Sequence, residues 1–148
     1  MNYRLFIYII IVNLISLPSF ATDIAVIVHP SNPISQMTIR EVFDLYLGRT
    51  NTFAGTNIIA KIYDQPVNSK LRELFFYLLN GTNLRQVNTY LAIMRFSGDF
   101  IPPKNLENSQ AIIDAVSNNT KGIGYIELTE ANQTVKIVLT LLESAAKY

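Results

Sequence analysis

The apolar positions of this chain fall into short runs of two periods, separated by Pro, Gly and Asn. Ile24–Val28 (IAVIV) is an unbroken apolar run, as a strand buried on both faces requires. It ends at His29-Pro30-Ser31-Asn32-Pro33, where two prolines impose a loop. Thr38-Ile39-Arg40-Glu41 fits a capping box, and Ile39, Val42, Phe43 and Tyr46 follow at helical spacing as far as Gly48. After a turn over residues 53–57, IIAKIY (58–63) predicts a second strand. The loop Asp64-Gln65-Pro66-Val67 leads to Asn68 or Ser69, either of which can cap a helix with the apolar stripe Leu71, Leu74, Phe75 and Leu78. Another helix starts near Thr82 or Asn83, carries Leu84, Val87, Leu91 and Met94 on one face, and breaks at Ser97-Gly98. Residues 100–107 read as a loop around Pro102-Pro103, and Asn108 or Ser109 caps a helix bearing Ile112, Ile113 and Val116. Residues 122–126 (GIGYI) form a short strand. Residues 135–141 (VKIVLTL) read as a last strand, although Val135, Val138, Leu139 and Leu142 also satisfy helical spacing. Strands alternating with helices imply an α/β fold, its sheet mostly parallel or mixed and covered on both faces.

The first 21 residues stand apart from this pattern. Arg4 gives a charged start, residues 5–17 (LFIYIIIVNLISL) are an apolar core interrupted by Asn13 and Ser16, and Pro18-Ser19-Phe20-Ala21 ends in a small-x-small sequence. That is the layout of a secretory signal peptide cleaved after Ala21, and the apolar run falls short of the roughly 20 residues that span a bilayer. Residues 22–148 are then one domain of ordinary size in an extracytoplasmic compartment. With no Cys in the chain there is neither a lipid attachment site nor a disulfide, so the apolar core carries the stability. Of 12 basic and 11 acidic residues, only Arg4 lies in the leader, which leaves the mature chain balanced. That balance argues against nucleic acid as a partner, because neutralising phosphates takes a basic face.

Several segments, taken in order, resemble one known family. They are the first strand with His29-Pro30-Ser31-Asn32-Pro33, the helix ending Asp44-Leu45-Tyr46-Leu47-Gly48-Arg49, and Phe53 with Gly55. Asn68-Ser69-Lys70-Leu71-Arg72-Glu73-Leu74-Phe75 and Lys121-Gly122-Ile123-Gly124-Tyr125 complete the set. Together they resemble the periplasmic phosphate-binding proteins of ABC transporters, in their short exported form. The resemblance covers nearly all of the chain from Thr22 to Leu141. It implies a three-layer α/β sandwich similar to one lobe of a type II periplasmic binding protein, with most of the other lobe lacking. It further implies a non-catalytic solute-binding protein for phosphate or a similar small oxyanion, serving uptake or sensing at a membrane transporter or sensor. The family grips phosphate with a Ser-Gly-Thr stretch at a helix start. Its Ser matches Ser69, its Gly and Thr fall on Lys70 and Leu71, and an upstream Arg falls at about Gln65.

The residues themselves define one candidate anion site. Asn68, Ser69, Lys70 and Arg72 combine a helix N-terminus, a hydroxyl and two cations, which is the chemistry that attracts an oxyanion. The bland reading is a capping Ser followed by two solvated charges. His29, Ser31 and Asn32 end the first strand and are expected at the carboxyl edge of the sheet, facing the helix start. His29 has no second His or Cys to join it in a metal site, and no cofactor is expected. One His, no Cys and no paired carboxylates leave no catalytic constellation, so the chain reads as a non-enzyme. The alternative is a lobe that has lost its ligand and serves as an interaction module.

Overall fold

The computed structural model describes residues 20–98 and 100–146. Most of the leader lies outside them, and among the described residues no helix is long and apolar enough to cross a membrane. In chain order the elements are β1 (Ile24–Val28), α1 (Ile39–Tyr46), β2 (Lys61–Asp64), α2 (Lys70–Asn80), α3 (Leu84–Arg95), β3 (Lys104–Asn105), α4 (Ser109–Ser117), β4 (Gly122–Glu127) and β5 (Lys136–Leu141). Local chemistry sets the helix starts. Thr38 and Asn83 form capping boxes with Glu41 and Gln86, and Ser69 and Asn108 cap α2 and α4 through their side chains. Residues 135–141 resolve as strand, not helix.

The five strands lie in the order β3-β2-β4-β1-β5. β2 pairs parallel with β3 and β4, whereas β1 runs antiparallel to both β4 and β5. The sheet is therefore mixed, with one reversed strand near its middle. Alternate residues of β1 feed two cores. Ile24, Val26 and Val28 pack under α1, α2 and α3, while Ala25 and Ile27 pack under α4 with Tyr63 and Ile126. Three layers result, with the sheet in the middle. Gly124 admits α4 to the sheet: a Cβ there would stand 2.4 Å from a methyl of Ile112. At Gly48, with φ +68°, the Phe100 ring fills the space that a side chain would take.

Two expectations shift. The second strand begins at Lys61 instead of Ile58, because Ile58 to Ala60 fold back on Asn51 to Phe53 through Phe53 N–H to Ile58 O (3.1 Å) and Ala60 N–H to Asn51 O (2.8 Å). The apolar stripe of α2 is rotated: its buried residues are Arg72, Phe75, Phe76 and Leu79, and Leu71, Leu74 and Leu78 are only partly buried. An arginine thus holds a place in the core.

Candidate functional site

The residues singled out in the sequence separate into two places. β1 runs against β2 and β4, so the His29–Asn32 loop leaves the sheet where those strands begin; Val28 pairs with Ile123, the residue also paired with Ile62. The Asp64–Ser69 loop leaves β2 in the opposite direction. The expectation that both line one carboxyl edge fails because it assumed parallel strands. Asn32 is 2% exposed and ties the sheet end together, donating from Nδ2 to Thr120 O (3.0 Å) and accepting at its carbonyl from Lys136 Nζ. His29 Nδ1 accepts from Ser31 N–H (3.0 Å), a turn-stabilising bond. These three residues do not face the start of α2.

At that start, Ser69 Oγ accepts from Arg72 N–H (3.2 Å), and Ser69 N–H donates to Pro66 O (2.9 Å). The amides of Lys70 and Leu71 have no acceptor among the described residues, as the first turn of a helix dictates. Asn68 and Lys70 are exposed, and Lys70 lines a shallow surface hollow with Glu73 and Tyr77. Arg72 departs from the expectation of a solvated charge. It is 2% exposed, its Nε donates to Asp64 Oδ2 at 2.8 Å, and its Nη1 donates to Val67 O (3.0 Å) and Asn88 Oδ1 (2.8 Å). Its guanidinium also lies over the Phe76 ring, 5.1 Å from the centroid. A guanidinium so placed fixes the loop before α2; it is a support for the site.

Asp64 is the hub beneath. Its Oδ1 accepts from Gln65 N–H (2.9 Å) and from the Tyr125 hydroxyl, so both oxygens are engaged. Burial pushes its carboxyl above the ordinary value, against the Arg72 charge and the hydrogen bonds, which favour the ionised form. Tyr125 stacks on Phe75 (3.6 Å, 5°) and meets Tyr46 edge-on, and the Tyr46 hydroxyl donates to Tyr63 O (2.8 Å). Burial first, and the Asp64 charge second, raise both phenols well above their ordinary value. Gln65, where the resemblance puts a family Arg, is turned inward and donates from Nε2 to Ser109 Oγ and Tyr125 O, both at 3.1 Å. The position that would carry charge now braces α4 against β4. Sequence reasoning missed Asp64 and Asn88, and the signal for them was faint: an acid closing an apolar strand eight residues before an arginine that shares a helical face with Phe76 and Leu79.

The architecture, a three-layer α/β sandwich around a mixed sheet, has the fold of phosphate-binding proteins. It is similar to a putative phosphate ABC transporter substrate-binding protein with bound phosphate from Clostridium perfringens, at TM-score 0.66 and 21% identity, over 80% of this chain and 44% of that one. An ABC-type phosphate transport receptor from Vibrio cholerae gives 0.63 and 16%, over 80% and 46%. PstS from Borrelia burgdorferi gives 0.61 and 15%, over 80% and 47%. The chain therefore spans less than half the length of these structures, and at such identities the likeness establishes the fold. No protein-family model matches the sequence, and no curated protein does.

Proposed function

We propose that this protein is an exported, non-catalytic solute-binding lobe that holds phosphate or a similar small oxyanion at the start of α2, in the periplasm, and hands it to or reports it to a membrane transporter or sensor. The observation that carries this reading is the first turn of α2. The amides of Lys70 and Leu71, without acceptors among the described residues, lie there beside the Ser69 hydroxyl on a loop fixed by Arg72, with the exposed Lys70 as the nearby source of charge, in a fold shared with phosphate-transport proteins. Asn68 completes the rim. Arg72 contributes by holding the backbone, and His29, Ser31 and Asn32 drop out of the site. An open half-site of this kind binds weakly and loses affinity with salt.

The inward turn of Gln65 favours a second reading, a ligand-free module that docks on a membrane partner, because it removes the charge a phosphate grip would use. A thermal-shift panel with phosphate and sulfate separates the two. An anion at about 100 times its dissociation constant stabilises the protein by about 2.7 kcal/mol, and Ser69→Ala with Lys70→Ala removes that increment. The ligand-induced increment is the quantity to read, since loss of the Ser69 cap alone costs about 1 kcal/mol. No anion-dependent shift in the unmodified protein rules for the interaction module. Intact mass of the exported protein tests cleavage after Ala21: a mature species beginning at Thr22 is expected, and a membrane-retained species beginning at Met1 overturns the export reading.

A further inference from the structure

A separate cavity of about 220 Å³ opens between α2 and α3, and neither Ser69 nor Lys70 lines it. Its floor is the Asp64–Arg72 pair. One wall is the face of α3 formed by Asn88, Leu91, Ala92 and Arg95, at the i, i+3, i+4, i+7 spacing of a single helix side, and Pro102 and Pro103 stand opposite. The polar groups around it are unequal in kind. Arg72 has five N–H donors, of which Nε and Nη1 are taken by Asp64, Val67 and Asn88, while Nη2 meets no acceptor among the described residues. Arg72 is 2% exposed and lines this cavity, so the cavity is where its guanidinium meets a small ligand. Asn88 accepts through Oδ1, which leaves its amide N–H groups to donate. Arg95, exposed at the mouth, forms no ion pair with the described residues. Both Asp64 oxygens are engaged, and the Asn105 amide donor goes to Gln65 O. Among the described residues, what remains is a cluster of donors without acceptors and the Arg95 charge without a counter-ion, set among the apolar groups of Leu91, Ala92 and the two prolines.

We propose that this cavity binds a short-chain monocarboxylate. Its head takes the guanidinium of Arg95 with Nη2 of Arg72 and the Asn88 amide, and its tail lies on Leu91, Ala92 and the two prolines. Inorganic phosphate offers those walls no apolar surface. The volume falls below the roughly 300 Å³ at which sites for drug-sized ligands begin, so the ligand is of the size of butyrate. The inference is independent of the oxyanion reading at the start of α2.

Titration of the isotope-labelled protein with butyrate, acetate and phosphate, followed by amide chemical shifts, tests it. Butyrate is expected to shift the signals of Asn88, Ala92 and Arg95 saturably and at lower concentration than acetate. Arg95→Ala weakens the binding by at least about tenfold, the worth of one charged hydrogen bond, and Arg95→Lys restores part of it. Ala92→Leu, which fills the cavity and keeps the charge, abolishes it, and Ser69→Ala leaves it unchanged. The proposal is overturned if butyrate gives no saturable shift, if Arg95→Ala and Ala92→Leu bind as the unmodified protein does, or if phosphate occupies these residues and butyrate does not.

Discussion

Asp64 and Arg72 are held 2.8 Å apart with side chains 2–3% exposed, which makes each costly to remove singly. A buried ion pair adds little net stability, but taking one partner away strands the other charge out of water, at about 3–5 kcal/mol. Arg72→Ala is expected to lower unfolding free energy in urea by that amount, and Asp64→Leu combined with Arg72→Met to cost less than Arg72→Ala alone. The same network sets the response to alkali. Tyr46 and Tyr125 stay protonated in the folded protein above the pH at which the unfolded chain releases its phenolic protons, near 10. Stability is therefore intact below about pH 10 and falls as pH rises beyond it, by about tenfold in the folding equilibrium constant per pH unit for each of the two groups. Absorbance at the phenolate band should show both ionising together with unfolding, and Tyr125→Phe should halve the slope. The burial of Arg72 was hidden in the sequence because a charge on an amphipathic helix is ordinarily read as solvent-facing; what decides it is a partner on another element.

The elements whose signals are local were readable in advance. The helix starts of α1, α2, α3 and α4 each depend on one capping side chain within three residues, and β1 declares itself by composition. Features that depend on a distant partner were not. β3 is two residues long and exists because β2 offers it an edge, and the start of β2 shifted because residues 58–60 found a nearer partner in residues 51–53. The reason for a glycine within β4 is likewise non-local. At Gly124 an added methyl meets Ile112, so Gly124→Ala is expected to cost about 1–3 kcal/mol by forcing α4 away from the sheet. Equilibrium unfolding measures it, and Ile112→Val in the same chain should recover part of the loss. Full stability in Gly124→Ala alone would show that α4 has slack against β4.

At the scale of the molecule, the decisive feature is the direction of β1. Alternating strands and helices suggested a mostly parallel or mixed sheet, and the expectation of one shared edge for the His29–Asn32 and Asp64–Ser69 loops needed β1 and β2 to run the same way; strand direction is a non-local fact, and it sends those loops apart. The reversal has a second effect. β1 begins level with the ends of β4 and β5, where Ile24 pairs with both Glu127 and Leu141. Thr22 N–H donates to the Glu143 carboxylate, and Glu143 N–H donates to Asp23 Oδ1 (3.1 Å). A circular permutant that joins residue 146 to residue 22 through a short Gly-Ser linker and opens at Gly55, a turn residue with open space around it, is expected to unfold cooperatively near the temperature of the unmodified protein. Loss of cooperative unfolding would mean that chain order, and not the pairing of the sheet, holds the domain together.

The clasp between Thr22, Asp23 and Glu143 makes the domain behave as a bead on a loop: the backbone goes in and comes out through a single gate. A host chain could receive such a bead between two neighbouring residues without spreading them, and a pull on the two ends would load the reversed strand β1 and the edge strand β5 from their adjoining ends, peeling them like a zip.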